Sequence, residues 1–344
     1  MKFSKVIWLV LIVALLVLPK MSLAEDQAAT GETVDAYWQK FSPDEVKGIY
    51  ITAGTAFNKN KMDKLIALVK TSEINSMVID IKDGSDIYLN QEMGDLVQEL
   101  VKDKIYPIAR QVIFLDNKLA GEHPEYSLKW QSGGNWRDRG GHEWLDPANR
   151  AVWEYNTLIS KAAIALGFKE VQFDYVRFPS DGKVKEVVYP FWDKTETQNQ
   201  VIASFLDYAT KEIKSFVNVP ISADIFGYTF LSDNVGIGQY LPDLIKSLDY
   251  ISPMIYPSHY SAGNFGYQNP AQHPYEVVAQ TLSRGEKNFN QENKQKIRAW
   301  IQGFDMGAIY NERMINLEKQ ALYDFGLKSW IVWNPGNIYN PKAF

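Results

Sequence analysis

From residue 46 onward the chain alternates between short runs whose apolar residues recur at every second position and longer runs whose apolar residues recur every third or fourth. The first spacing lays one face of a strand on a core; the second lays one stripe of a helix there. Strands are predicted over 46–53, 76–82, 106–114, 170–174, 219–228, 248–256, 296–304 and 328–333. Helices are predicted over 61–71, 91–104, 152–166, 196–216, 239–247, 275–282 and 311–325. In the first helix Met62, Leu65, Ile66 and Val69 fall on one face. Eight strands, each but the last followed by a helix, match the count and size of a closed parallel (β/α)8 TIM barrel. An open doubly wound sheet shares the alternation, although no Gly-x-Gly-x-x-Gly turn follows the first strand. Between 115 and 149 the periodicity lapses into a long insertion rich in Gly, Trp and charge, and a stretch of that length is more often functional than idle.

Polar residues interrupt the apolar pattern near the C-terminal ends of the strands, where a parallel barrel does its chemistry. The second strand carries Asp80 and Lys82, which strand alternation puts on one face. The third carries Arg110, and the fourth carries Gln172 and Asp174, with Arg177 just after it. The fifth pairs Ser222 with Asp224. The sixth carries Ser252 and then Tyr256, before His259 and Tyr260, the seventh carries Gln302 with Asp305 nearby, and the eighth ends in Trp333-Asn334. Charges inside a barrel are costly unless they face a wet opening. Two carboxylates on adjacent strands, Asp174 and Asp224, suit cleavage of a glycosidic bond, in which one group attacks or activates water and the other protonates the leaving oxygen. The spacing leaves retaining and inverting chemistry both open. Trp130, Trp136, Trp144, Trp192 and Trp333 fall in loops or at strand ends, where flat rings either stack on sugars or pack the loops themselves.

Composition narrows the partners. With 344 residues and no cysteine, the chain has a length that supports a sizeable core and has no thiolate or disulfide chemistry. Lys2 and Lys5 precede an uncharged apolar run, 6–18, and Ser22-Leu23-Ala24 places small residues where a signal peptidase reads. The expected organisation is a signal peptide over 1–24, a polar lead-in over 25–45 and a barrel over 46–344. That makes the protein secreted or extracytoplasmic, at the membrane only through the N-terminal segment if it is left uncleaved. Without Lys2, Lys5 and Lys20, 33 basic residues face 41 acidic ones, a formal charge of −8, which argues against a nucleic-acid partner. The four histidines show no i, i+4 pair, so no metal and no cofactor is expected. A Gly-x-Ser-x-Gly nucleophile turn is absent, which disfavours an esterase.

Several longer motifs carry a resemblance: Val78-Ile79-Asp80-Ile81-Lys82-Asp83, Ile108-Ala109-Arg110, Trp136-Arg137-Asp138, the run from Gln172 to Pro179, Ser222 to Gly227, Ser252 to Tyr260, and Trp333-Asn334. In these the chain resembles a bacterial family of glycoside-hydrolase-like barrels long catalogued as a domain of unknown function, similar to the alpha-amylase-like enzymes. The resemblance implies a nucleophile at the end of the fourth strand and an acid/base at the end of the fifth, which fall on Asp174 and Asp224. It also shows departures. The fifth-strand acid is Asp where amylases have Glu, Gln172 stands where an arginine is usual, and Gly303 stands where a further carboxylate is expected, with Asp305 two residues on. The expectation is an exported glycoside hydrolase of a polysaccharide or oligosaccharide, with Asp80, Lys82, Arg110, Arg177, Tyr256, His259, Tyr260, Gln302, Asp305, Trp333 and Asn334 around the substrate. A non-catalytic carbohydrate-binding barrel and a different polysaccharide-modifying enzyme, such as a metal-dependent deacetylase, are the alternatives.

Overall fold

The computed structural model describes residues 45–344. The expected signal peptide and nearly all of the lead-in lie outside the described residues. Eight of the described strands close into a parallel barrel: β1 (Lys47–Ile51), β2 (Ser76–Lys82), β3 (Tyr106–Val112), β4 (Glu170–Asp174), β5 (Ile221–Phe226), β6 (Tyr250–Met254), β7 (Ala299–Gln302) and β8 (Trp330–Trp333). β1 pairs with both β2 and β8, which closes the ring and leaves no barrel strand with an open edge. Seven helices follow the first seven strands: α1 (Lys59–Lys70), α2 (Gln91–Lys102), α3 (Arg150–Leu166), α4 (Gln198–Phe216), α5 (Leu241–Ser247), α6 (Pro274–Gly285) and α7 (Glu312–Asp324). The predicted (β/α)8 architecture is therefore the one observed. Most of the strands stop a few residues short of the periodic runs, because those runs continue into buried loop residues such as Phe114 and Ile255.

Local chemistry sets the helix ends. The Asn58, Asn90 and Asn149 side chains accept backbone N–H groups at the starts of α1, α2 and α3, and Thr197 and Gln200 form a reciprocal capping box on α4. Gly167, at φ 116°, ends α3 in the left-handed conformation that a Cβ disfavours. The inward stripes are fully buried, as at Met93, Val97 and Leu100 of α2, each worth about 1.5–3 kcal/mol on leaving water.

The insertion after β3 is ordered, contrary to its aperiodic appearance. It holds a one-turn helix (Asn117–Glu122), isolated bridges from Leu115 to Trp144 and from Ser127 to Leu145, and a two-residue ladder between Lys129–Trp130 and Val187–Val188. These elements are too short to leave a period in the sequence. Trp136 and Trp144, expected as possible sugar platforms, are sealed inside it.

The barrel interior is polar at its floor. Glu170 accepts from Arg298 Nη1 at 2.6 Å, from Ser222 Oγ at 2.6 Å and from Tyr106 OH at 3.2 Å, and the Arg298 guanidinium lies on the Tyr250 ring. Breaking a buried pair of this kind leaves an uncompensated charge. Arg298→Met is expected to lower unfolding stability by about 3–5 kcal/mol, measured by urea denaturation, whereas the double change Arg298→Met with Glu170→Gln should recover a large part of the loss.

Candidate active site

At the opposite end of the barrel, the inward residues of β1 to β5 converge on one cation. Arg110, on β3, donates from Nη1 to Asp80 Oδ1 at 2.5 Å and from Nη2 to Asp174 Oδ2, while its Nε lies 3.6 Å from Asp224 Oδ2. Strand register accounts for the meeting: Asp80 is opposite Arg110 across β2 and β3, and Asp174 and Asp224 each follow directly on the last pair of β4 and β5, Phe173 with Ala223. Tyr50, on β1, donates its hydroxyl to Asp80 Oδ2, and its ring stacks on Trp333 with centroids 3.8 Å apart. The guanidinium carbon sits 5.0 Å from the Trp333 ring and 5.5 Å from that of Tyr50, so aromatic faces flank the one side that carboxylates leave open.

Asp174 is held from two directions. Tyr175 N–H donates to its Oδ1 at 2.6 Å, and Tyr175 itself adopts φ 52°, a left-handed conformation that costs a bulky residue energy and tends to survive at functional sites. Asp224 lies deeper, 1% exposed against 6% for Asp174, and accepts from Trp300 Nε1 at 2.6 Å. Burial, and then the charge of Asp174, push the Asp224 carboxyl well above the usual carboxylate range. Burial also raises Asp80 despite its bonds to Arg110 and Tyr50, and raises the Tyr256 phenol, which feels both Asp224 and Asp174. For Arg110, burial works against the charge, but Asp174 and Asp80 outweigh it and hold the guanidinium protonated. The site thus sets an anchored carboxylate beside one biased to carry a proton, the pairing that acid/base cleavage of an acetal requires.

Residues 48–339 match the family described as "Putative glycosyl hydrolase domain". The chain belongs to this family. The fold is shared with the C-terminal domain of a chitinase described as putative from Desulfitobacterium hafniense DCB-2, at TM-score 0.57 and 13% identity over 87% of this chain and 96% of that one. It is shared also with the Bacillus cereus spore cortex-lytic enzyme SleL, at TM-score 0.56 and 11% identity over 87% and 73% of the two chains. The Thermus thermophilus alpha-galactosidase TtGalA matches at TM-score 0.54 and 11% identity over 90% and 63%. Comparison with curated proteins returns no match.

Not every predicted site residue of this glycosyl hydrolase family member reaches the mouth. Lys82 does not share a face with Asp80. A register irregularity between the two turns it outward, where it pairs with Asp116 Oδ2 at 2.9 Å against the Tyr155 ring of α3. Tyr260 is buried behind the loops, stacked on Tyr228 and accepting from Thr281 of α6. Gln302 braces the loops instead of facing the opening: its Oε1 accepts from Ser258 N and its Nε2 donates to Phe304 O. Asp305 is exposed and accepts from Tyr310 N within its own loop, and Asn334 donates to Gly303 O and Ile338 O. His259 stands on the rim with its ring edge against Tyr256. Trp130 and Trp192 are partly buried on aromatic neighbours, Trp136 and Phe178 respectively. Tyr50 and Trp300, which hold two of the acids, were not singled out by sequence reasoning, since an aromatic on a strand carries the same signal as core. Among the described residues no group of acids and histidines has the geometry to hold a metal.

The raised Asp224 value has a consequence for stability. A group raised in the folded state binds more protons there than in the unfolded chain, so its stabilisation is complete below the unfolded value of about 3.9 and is lost as pH rises through the folded value. Asp224→Asn keeps an acceptor for Trp300 and removes the titration. The variant should be more stable than the wild type at pH 8, by about 1 kcal/mol for each unit of displacement, and less pH-dependent between pH 5 and 8 in urea unfolding. Lower alkaline stability in the variant would instead make Asp224 a needed counter-ion of Arg110.

Proposed function

We propose that the protein is an exported glycoside hydrolase that cleaves a polysaccharide with Asp174 as nucleophile or base and Asp224 as general acid. The observation that carries the reading is the unequal sharing of one guanidinium: Asp174 takes a direct bond from Arg110, whereas Asp224 stands 3.6 Å from Nε, buried and pushed toward its protonated form. Asp174, at 6% exposure, is the more accessible of the two acids, and Asp224, at 1%, is the deeper. Family membership supports the reaction class. The Lys2 and Lys5 charges, the apolar run 6–18 and Ser22-Leu23-Ala24 support export.

The roles separate by leaving group. On a polysaccharide, Asp174→Asn should lose all measurable turnover and Asp224→Asn about 10²–10⁴-fold. On an aryl glycoside whose leaving group needs no proton, Asp224→Asn should keep much of its rate and Asp174→Asn none. Wild-type kcat should fall as pH rises through the Asp224 value, and Asp224→Asn should flatten that limb. Equal rates for wild type and Asp174→Asn across a panel of envelope and plant glycans would reject the assignment.

The near-complete burial of Asp224 favours a second reading, a barrel that binds carbohydrate without cleaving it. Equilibrium glycan binding with no product release by the wild type would select it. Export is checked separately, by sequencing the N-terminus of protein recovered outside the cytoplasm, which should begin at Glu25.

A further inference from the structure

Three residues after Asp174, a second guanidinium lies at the same end of the barrel under different conditions from the first. Arg177 is 9% exposed and enclosed by three rings, with its central carbon 4.8 Å from Trp144, 5.0 Å from Tyr175 and 4.8 Å from Phe226. Those rings come from the insertion after β3, the end of β4 and the end of β5, so the cation is walled on several sides by the loops of the mouth. Its polar contacts are Nη1 to Phe178 O at 3.1 Å and Nη1 to Ser180 Oγ at 3.2 Å, both to neutral oxygens. Among the described residues no carboxylate comes within ion-pair distance. Asp174, Asp181 and Asp138 act on it from farther away. Asp174 is already bonded to Arg110, and Asp138 accepts from Trp144 Nε1 and His142 N.

A guanidinium has five N–H donors, and among the described residues those on Nε and Nη2 of Arg177 meet no acceptor. Unlike the Nε atoms of Arg110 and Arg298, they are not among the sealed, unpartnered polar atoms of the described residues. That edge is the planar fork that binds a carboxylate through two parallel bonds. A buried cation normally carries its counter-ion with it. Here Arg110 has three acids around it, and Arg177 has rings and neutral oxygens.

We propose that Arg177 is a recognition subsite for a carboxylate-bearing sugar, so that the glycan taken by this barrel is acidic and its charged substituent sits beside the residue bonded at Asp174. The inference rests on the reading of the mouth as a carbohydrate site and names its substrate class. Two sources supply the same chemistry, the ring carboxylate of a uronic acid and the lactyl ether carboxylate of an amino sugar.

Binding by the full chain is measured by affinity electrophoresis in polygalacturonate, in carboxyl-reduced polygalacturonate, in peptide-free peptidoglycan strands and in soluble chitin oligomers. One of the two acidic polymers should bind more tightly than its neutral counterpart by about tenfold or more, the worth of one charge-assisted bidentate contact. Which acidic polymer wins identifies the source. Arg177→Gln should bring the acidic-to-neutral ratio close to one, and Arg177→Lys should keep part of it, with circular dichroism confirming that each variant is folded. If Arg177→Gln does not fold, the acidic and carboxyl-reduced polymers decide the matter on the wild type alone. Equal affinity for acidic and neutral polymers, binding to none of them, or an unchanged ratio in a folded Arg177→Gln would overturn the proposal. Selective binding without product release would keep the subsite and remove the hydrolase. Cleavage of a neutral glycan as fast as its acidic counterpart would keep the hydrolase and remove the subsite.

Discussion

One guanidinium cannot satisfy three buried carboxylates, and the mouth of this barrel is arranged around that shortage. Arg110 bonds directly to Asp80 and Asp174 and approaches Asp224 without a hydrogen bond, leaving its Nε without an acceptor. In a medium far less polarisable than water, an acid without its own counter-ion lowers its energy by holding a proton. The excess negative charge therefore resolves into protonation, most strongly at Asp224, which is both the deepest acid and the one farthest from the guanidinium. Distance to one side chain sets Asp224 apart from Asp174 and Asp80.

The floor of the barrel shows what the same ingredients do when the charges balance. Glu170 has one cation, Arg298, and two hydroxyl donors, and the cluster is closed on itself. Its polar residues fix the strands relative to one another and have no chemistry left over. At the mouth the count of acids exceeds the count of bonded cations, Tyr175 is held at a costly φ, and Arg177 bonds only to neutral oxygens among the described residues. The floor pairs its acid with one cation, although Arg298 Nε meets no acceptor, whereas the mouth gathers three acids on one guanidinium.

Most of this was legible from the chain because the strand period is rigid. Alternation alone puts Arg110, Asp174 and Asp224 inward, and closure of the ring then brings them together whatever the loops do. Lys82 shows the limit of that logic: one irregularity in the pairing of β2 with β3 reverses the face of the residue after it, and no period records a bulge. Residues at and beyond the strand ends were less legible. Tyr260, Gln302, Asp305 and Asn334 are placed by loop hydrogen bonds, which sequence spacing does not encode, and each of them serves the loops themselves. Trp136 and Trp144 look like sugar platforms in a run without periodicity, yet an insertion that folds on its own needs a core, and they are that core. Tyr50 and Trp300 were hidden for the opposite reason, since they sit where core aromatics belong and act through a single polar atom each.

Two of the three departures from the expected pattern take on a physical meaning once the strands are in register. Gln172 stands where an arginine is usual, and Arg110 lies opposite it on β3, so the guanidinium reaches Asp174 from the neighbouring strand. Gln172 itself is spent mid-barrel, donating to Ser252 Oγ at 2.8 Å. At Gly303 a side chain is excluded: a Cβ there would lie 2.6 Å from Val332 Cγ1 and 3.0 Å from Trp333 O, and the adjoining Asp305 is occupied with its own loop. The third carboxylate of the mouth comes instead from β2, as Asp80, tied to Arg110 and Tyr50. Moving the guanidinium to β3 requires an acid on the strand beyond it, because an arginine drawn toward Asp174 alone has no second anchor to fix its plane. Asp80 supplies that anchor: Arg110 is held between the acids of β2 and β4, so its plane is fixed from two strands at once.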